Sequence, residues 1–158
     1  MIKNDKKNMA LAMQKAQQGI KVGQTPFGAC IVKNNIIIAC SHNKVWKTTD
    51  ITAHAEIVAI RLACKKLKTI DLSGCTIYST CEPCPMCFSA CHWAKISKIV
   101  YGARISDAKE YGFNELSISN ATMKTKSKSS MKIIKDFMRE ENIRVFEEFN
   151  KKKNKRLY

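Results

Sequence analysis

The chain is expected to fold as an α/β domain, one sheet with helices on both faces. Three observations predict this. Short apolar, β-branched runs alternate with longer stretches of helical periodicity. The 158 residues suffice for one core of ordinary size. Their apolar fraction of 45% is that of a globular protein. No internal repeat or linker interrupts the pattern. Residues 1–158 are therefore read as a single domain, with a basic C-terminal helix and tail over residues 137–158.

The elements follow in order. Residues 5–18 form an Ala- and Met-rich helix ending near Gly19. Residues 27–32 and 36–40 are strands, with Lys33-Asn34-Asn35 between them as a hairpin turn. A helix follows His54, with an apolar stretch over 57–67. Asp50 and Thr52 are the expected capping residues upstream of it. Residues 75–79 form the third strand, 84–94 a helix, and 99–101 the fourth strand. Residues 119–130 are polar and read as a loop, and 131–134 as a last strand. Residues 137–149 close the domain as an amphipathic helix, with Phe137, Met138, Val145, Phe146 and Phe149 apolar.

Chemistry is concentrated in two short segments, His54-Ala55-Glu56 and Pro83-Cys84-Pro85-Met86-Cys87. Cys84 and Cys87 are three apart and share one helix face. Pro83 and Pro85 suit the entry of a helix and not its interior. Both thiols then sit at a helix N-terminus, where the dipole favours the thiolate. His54 and Glu56, two apart, converge only at a helix tip. One His and two Cys make a three-ligand zinc site with its fourth position open to water, one ion per chain. Glu56 is the candidate proton carrier. A redox pair, or a structural zinc knot drawing on His42, Cys81 or Cys91, explains the thiols but leaves Glu56 without a task.

Charge and cysteine usage bound the partners. Net charge is +15, from 28 basic and 13 acidic residues. Much of it lies in Lys124, Lys126, Lys128, Lys132 and Lys135, and in Lys151, Lys152, Lys153, Lys155 and Arg156. Such a surface can bind nucleic acid by counterion release. No aromatic residues interleave with it to stack bases, so solubilising lysines are the plainer reading. No apolar run reaches membrane-spanning length, and the N-terminus lacks the apolar stretch of a signal peptide. A reducing cytoplasm is expected, with the eight Cys as free thiols. Cys30, Cys40 and Cys64 are read as small buried hydrophobes.

The order His-x-Glu, then Pro-Cys-x-x-Cys, is a signature of zinc-dependent nucleobase deaminases. Further stretches carry the likeness across most of the chain. They include Thr25-Pro26-Phe27-Gly28-Ala29, Tyr78-Ser79-Thr80-Cys81-Glu82, His92-Trp93-Ala94, Gly112-Phe113-Asn114-Glu115 and Arg156-Leu157-Tyr158. The chain resembles the cytidine-deaminase superfamily, and within it the bacterial guanine deaminase and nucleoside deaminase branch. The resemblance implies a three-layer α/β/α sandwich around a mixed five-stranded sheet. It implies a homodimer whose C-terminal segment can cross to the partner. It also implies that Asn43 hydrogen-bonds the substrate, Phe27 and Trp93 flank the base, Glu115 reads the purine, and Tyr158 lies near the pocket. Guanine deaminases resemble Gly-Phe-Asp-Asp where this chain has Gly112-Phe113-Asn114-Glu115, a departure that bears on substrate.

The expected activity is hydrolytic deamination of a purine base or nucleoside, guanine to xanthine and ammonia first. Deamination of adenosine in tRNA is the alternative, and cytosine or cytidine comes third. Phe27 and Pro85 stand where the tRNA enzymes resemble Val. A non-catalytic, zinc-stabilised RNA-binding module is the reading from another class, and an intact Glu56 counts against it.

Overall fold

Two asparagines set the hairpin that opens the sheet. In a computed structural model, which describes residues 2–158, β1 (Gly28–Lys33) and β2 (Ile36–His42) pair antiparallel. Asn34 and Asn35 between them both have positive φ, 49° and 63°. Tight hairpin turns need that backbone, and Asn tolerates it better than most residues with a Cβ. β3 (Cys75–Cys81) pairs antiparallel with the other edge of β1. β4 (Lys98–Ala103) and β5 (Lys132–Ile134) then add in parallel, so the sheet runs β2-β1-β3-β4-β5.

Helices fill the crossovers and cover both faces. α1 (Ile2–Lys21) packs on β1, β2 and β3, and α7 (Arg139–Asn150) on β4 beside α1. α3 (Ala55–Leu67) packs on β1 and β2, with α4 (Pro85–Trp93) next to it. Alternation along the strands sorts the core accordingly. Cys30, Val32, Tyr78 and Val100 cluster with Met9 and Ala12 of α1. Ala29, Ile31, Ile77 and Ile99 cluster with Ala55, Ala59, Phe88 and Cys91. α1 lies so close to β1 that a Cβ on Gly28 would stand 2.1 Å from the Ala12 carbonyl oxygen. Glycine is therefore required inside Pro26-Phe27-Gly28-Ala29.

Several sequence expectations are corrected. The polar stretch 119–130 contains a helix, α6 (Asn120–Ser127), started by Ser119 Oγ accepting the Thr122 N–H at 3.1 Å. Its anchor is polar: buried Asn120 donates its backbone N–H to Glu82 (2.8 Å) and its side-chain amide to the Pro83 carbonyl (2.6 Å). Hydrophobic periodicity cannot register such an anchor. The short helices α2 (Val45–Thr48) and α5 (Ile105–Glu110) were not foreseen either. Cys30 and Cys40, expected as free thiols, face each other across the β1–β2 ladder and are joined as a disulfide. Among the described residues, no helix is long and apolar enough to cross a membrane.

Candidate active site

His54 and Cys84 are each the last extended residue before a helix, with ψ of 156° and 167°. Asp50 and Thr52, expected to cap α3, do something else. Asp50 accepts the Thr52 N–H (2.8 Å) and O–H (2.6 Å). This local turn delivers His54 to the helix mouth. Cys84 is delivered by Pro85, whose missing N–H costs nothing in the first turn. Two helix N-termini, one before β3 in the chain and one after it, thus meet at the same end of the sheet.

There the structure brings His54, Cys84 and Cys87 together, with their donor atoms all within 4.8 Å of one another. His54 Nδ1 is 3.7 Å from Cys84 Sγ and 3.6 Å from Cys87 Sγ. In a tetrahedral zinc site with bonds of about 2.3 Å to sulfur and about 2.0 Å to nitrogen, the N···S edge is roughly 3.5 Å. The donors therefore stand near the edge lengths one zinc ion demands. Among the described residues no fourth donor joins them. Cys81 instead donates to the Arg104 carbonyl (3.5 Å), and Cys91 is buried with its thiol pushed well up by that burial. The donor set fits an open, three-ligand zinc site and not a closed structural knot.

The Cys87 thiol donates to Cys84 and, with His54 alongside, holds the Cys84 thiol down to about 4. Cys87, the donor, is raised for the same reason. Burial alone would lower His54, but its bond to Cys84 and the charge of Glu56 outweigh it and the pKa rises. Glu56 stays outside the metal group. It is buried, its Oε1 accepts Ser79 Oγ (2.8 Å), and its Oε2 lies 3.5 Å from Cys87 Sγ. Burial pushes its pKa up. A carboxyl so placed can take a proton and return it.

The remaining candidates separate. Phe27 is buried edge-on against Phe113, ring centres 4.8 Å apart, and lines a small cavity with His54, Glu56, Cys84 and Glu115. Glu115 also lines the open cleft of ≈ 310 Å³ outside it, and burial followed by the Cys84 charge raises its carboxyl to about 7. Asn43 is fully buried; its side-chain oxygen accepts the Val45 N–H (3.0 Å) and its amide donates to the Tyr158 hydroxyl (2.6 Å). Tyr158 lies over its own chain's site, its ring 5.5 Å from that of His54. Trp93 is the exception. It is 80% exposed at the far end of α4 and does not line the pocket of its own chain. Nine residues of helix separate it from Cys84, about 13 Å at the α-helical rise.

Sequence reasoning missed Glu82. It is buried, and its two oxygens accept the backbone N–H groups of Asn120 (2.8 Å) and Ile105 (3.3 Å). It thereby fastens the 104–120 segment, which carries Glu115, to the end of β3. Its place between Cys81 and Pro83 was the available signal.

Three donors fit to hold zinc, with a buried carboxyl beside them and helices on both faces of a mixed sheet, are the arrangement of a zinc-dependent hydrolase. The chain belongs to the cytidine and deoxycytidylate deaminase family, whose zinc-binding region matches residues 2–103. It is 47% identical over 105 residues to the guanine deaminase of Bacillus subtilis (strain 168), covering 66% of this chain and 67% of that one. It is 34% identical over 145 residues to the tRNA-specific adenosine deaminase of Buchnera aphidicola subsp. Schizaphis graminum, covering 92% and 93%. The structure of a guanine deaminase from Nitrosomonas europaea superposes with a TM-score of 0.84 at 28% identity, over 90% of this chain and 82% of that one.

Proposed function

We propose that this deaminase acts on a free purine base, guanine first, converting it with water to xanthine and ammonia. The observation that carries the reading is Glu115. A half-buried carboxyl that shares a cavity with Glu56, His54 and Cys84 can accept N–H groups on the edge of guanine. Phe27 offers a ring to the base, and Asn43 an amide, once Tyr158 releases it. The 47% identity to a guanine deaminase supports the same choice.

The chemistry follows from the geometry. His54, Cys84 and Cys87 would hold one zinc ion, which when bound supplies the Lewis acidity that makes water a nucleophile near neutral pH. Glu56 takes a proton from that water as the C–O bond forms at the carbon bearing the amino group, and passes it to the adjacent ring nitrogen. It then carries the second proton to the amino group as the C–N bond breaks and ammonia leaves. Ser79 steadies Glu56 through both transfers with its 2.8 Å hydrogen bond. Glu56 is itself buried, which keeps bulk water away from the carboxyl.

Deamination of adenosine in tRNA is the second reading. It draws on the 34% identity that spans 92% of the chain and on the net charge of +15. An ammonia-release screen of zinc-loaded protein separates the two, using free bases, nucleosides and an anticodon stem-loop. Guanine turnover is expected. Activity on the stem-loop alone, falling steeply with salt, refutes the free-base reading.

A further inference from the structure

Glu115 shares the cavity with Glu56, yet nothing at Glu115 itself holds it there. It lies in residues 113–119, which belong to no helix or strand. Among the described residues its carboxyl has no hydrogen-bond partner. Its place is therefore set by what flanks it. On one side Phe113 is buried among the rings of Phe27, Phe146 and Phe149. On the other, Asn120 is fully buried at the start of α6. Two consecutive residues hold Asn120. Its backbone N–H donates to Glu82 (2.8 Å), and its side-chain amide donates to the Pro83 carbonyl (2.6 Å). The second oxygen of Glu82 accepts the Ile105 N–H (3.3 Å), where the chain leaves β4 for this excursion. The residue after Pro83 is Cys84, a donor of the metal group.

We propose that Glu82 and Asn120 form an anchor that sets Glu115 against the zinc donors, which makes both of them positioning residues for recognition of the base. The inference rests on the purine-base reading, in which Glu115 accepts from the base. Glu82, Pro83 and Cys84 are consecutive, and Pro83 stiffens the run by fixing its own φ. The carboxyl that reads the base and the donors that hold the metal are thus referred to one short piece of backbone. A carboxylate binds backbone N–H groups more strongly than a neutral acceptor, which suits it to this hold. Glu82 also borders the small cavity, but both its oxygens are engaged by backbone N–H groups, so it acts through Glu115. Loosening the anchor lets Glu115 drift out of hydrogen-bond range of the base, where such bonds weaken steeply. Glu56 keeps its bond to Ser79 on β3 and its proton transfers are untouched. The loss falls on KM and not on kcat.

The test reads the anchor first without substrate, in zinc-loaded protein. Glu82→Gln keeps the shape but turns an amide NH2 toward one of the two N–H groups. Asn120→Ala removes the bond to Pro83 and leaves the residues beside Cys84 unaltered. Each is expected to speed hydrogen exchange over residues 113–120 about five- to ten-fold and to leave α3 as in wild type. Each should raise KM for guanine about ten-fold with kcat nearly constant. In a Glu115→Gln background the same two substitutions should change kcat/KM by less than about two-fold, because the contact they position is already gone. Unchanged exchange in both variants overturns the anchor. So does loss of zinc from both, since the pair then serves the metal. Equal losses of kcat/KM with Glu115 present and replaced overturn the route through Glu115. If the wild-type protein deaminates no free purine while exchange responds as expected, the anchor stands and the purine-base reading falls.

Discussion

Replacing Glu56 with Gln isolates the proton carrier from everything around it. The two side chains have the same shape, so the buried slot beside Ser79 and Cys87 is refilled. The amide oxygen can still accept from Ser79 Oγ, now 2.8 Å from Oε1. The amide nitrogen faces Cys87 Sγ, now 3.5 Å from Oε2, and can donate to it once that sulfur is a thiolate. No buried polar group is orphaned, so melting temperature and zinc content should stay near wild type. An amide, however, neither accepts nor returns a proton in this pH range. General acid–base groups contribute about two to four orders of magnitude in rate, or roughly 2.7 to 5.5 kcal/mol of barrier. The assay is ammonia release at saturating guanine, on protein whose zinc has been counted by elemental analysis. Glu56→Gln protein that holds its zinc and turns over within about ten-fold of wild type refutes the mechanism, since that lies below the smallest expected loss.

Other outcomes test separate parts of the argument. Cys87→Ser should lose both zinc and turnover, because a serine hydroxyl is a poor donor at a site of this softness; elemental analysis at about one zinc per chain in this variant would remove Cys87 from the ligand set. Glu115→Gln should keep zinc but lower guanine kcat/KM by roughly one to two orders of magnitude, the worth of a charged hydrogen bond of about 1.5 to 3 kcal/mol; unchanged kinetics would return Glu115 to a structural role. Asp107 tests stability against pH. Burial favours its neutral form, but Arg139 Nε (3.0 Å) and the Arg104 N–H (2.7 Å) outweigh that and depress its pKa. A depressed carboxylate stabilises the fold above its ordinary value of 3.8 and loses that contribution as pH falls through the lower folded value. Arg139 is 39% exposed, so Asp107→Asn should cost only about 1 to 2 kcal/mol at neutral pH, or some 2 to 8 °C in Tm, and flatten the acid limb. An acid limb identical to wild type by thermal unfolding would contradict it.

What the sequence alone determined is local. His54 with Glu56, and Cys84 with Cys87, meet because a helix mouth fixes side-chain direction within three or four residues. Proline and the His-x-Glu spacing announce such mouths. The Asn34-Asn35 turn was legible for the same reason, since Asn tolerates a positive φ better than most residues with a Cβ. Only the tertiary structure decided the rest. α6 is anchored at its first residue by the carboxylate of Glu82, 38 residues earlier, a contact that no periodicity records. Cys30 and Cys40 are paired by strand register and not by their sequence spacing. Trp93, which the family resemblance put beside the base, is carried away from its own chain's pocket by the rise of α4. Tyr158 returns to Asn43 across a separation of 115 residues. A contact of that kind depends on where the whole sheet sets its two ends, and local residue chemistry contains no distance so long.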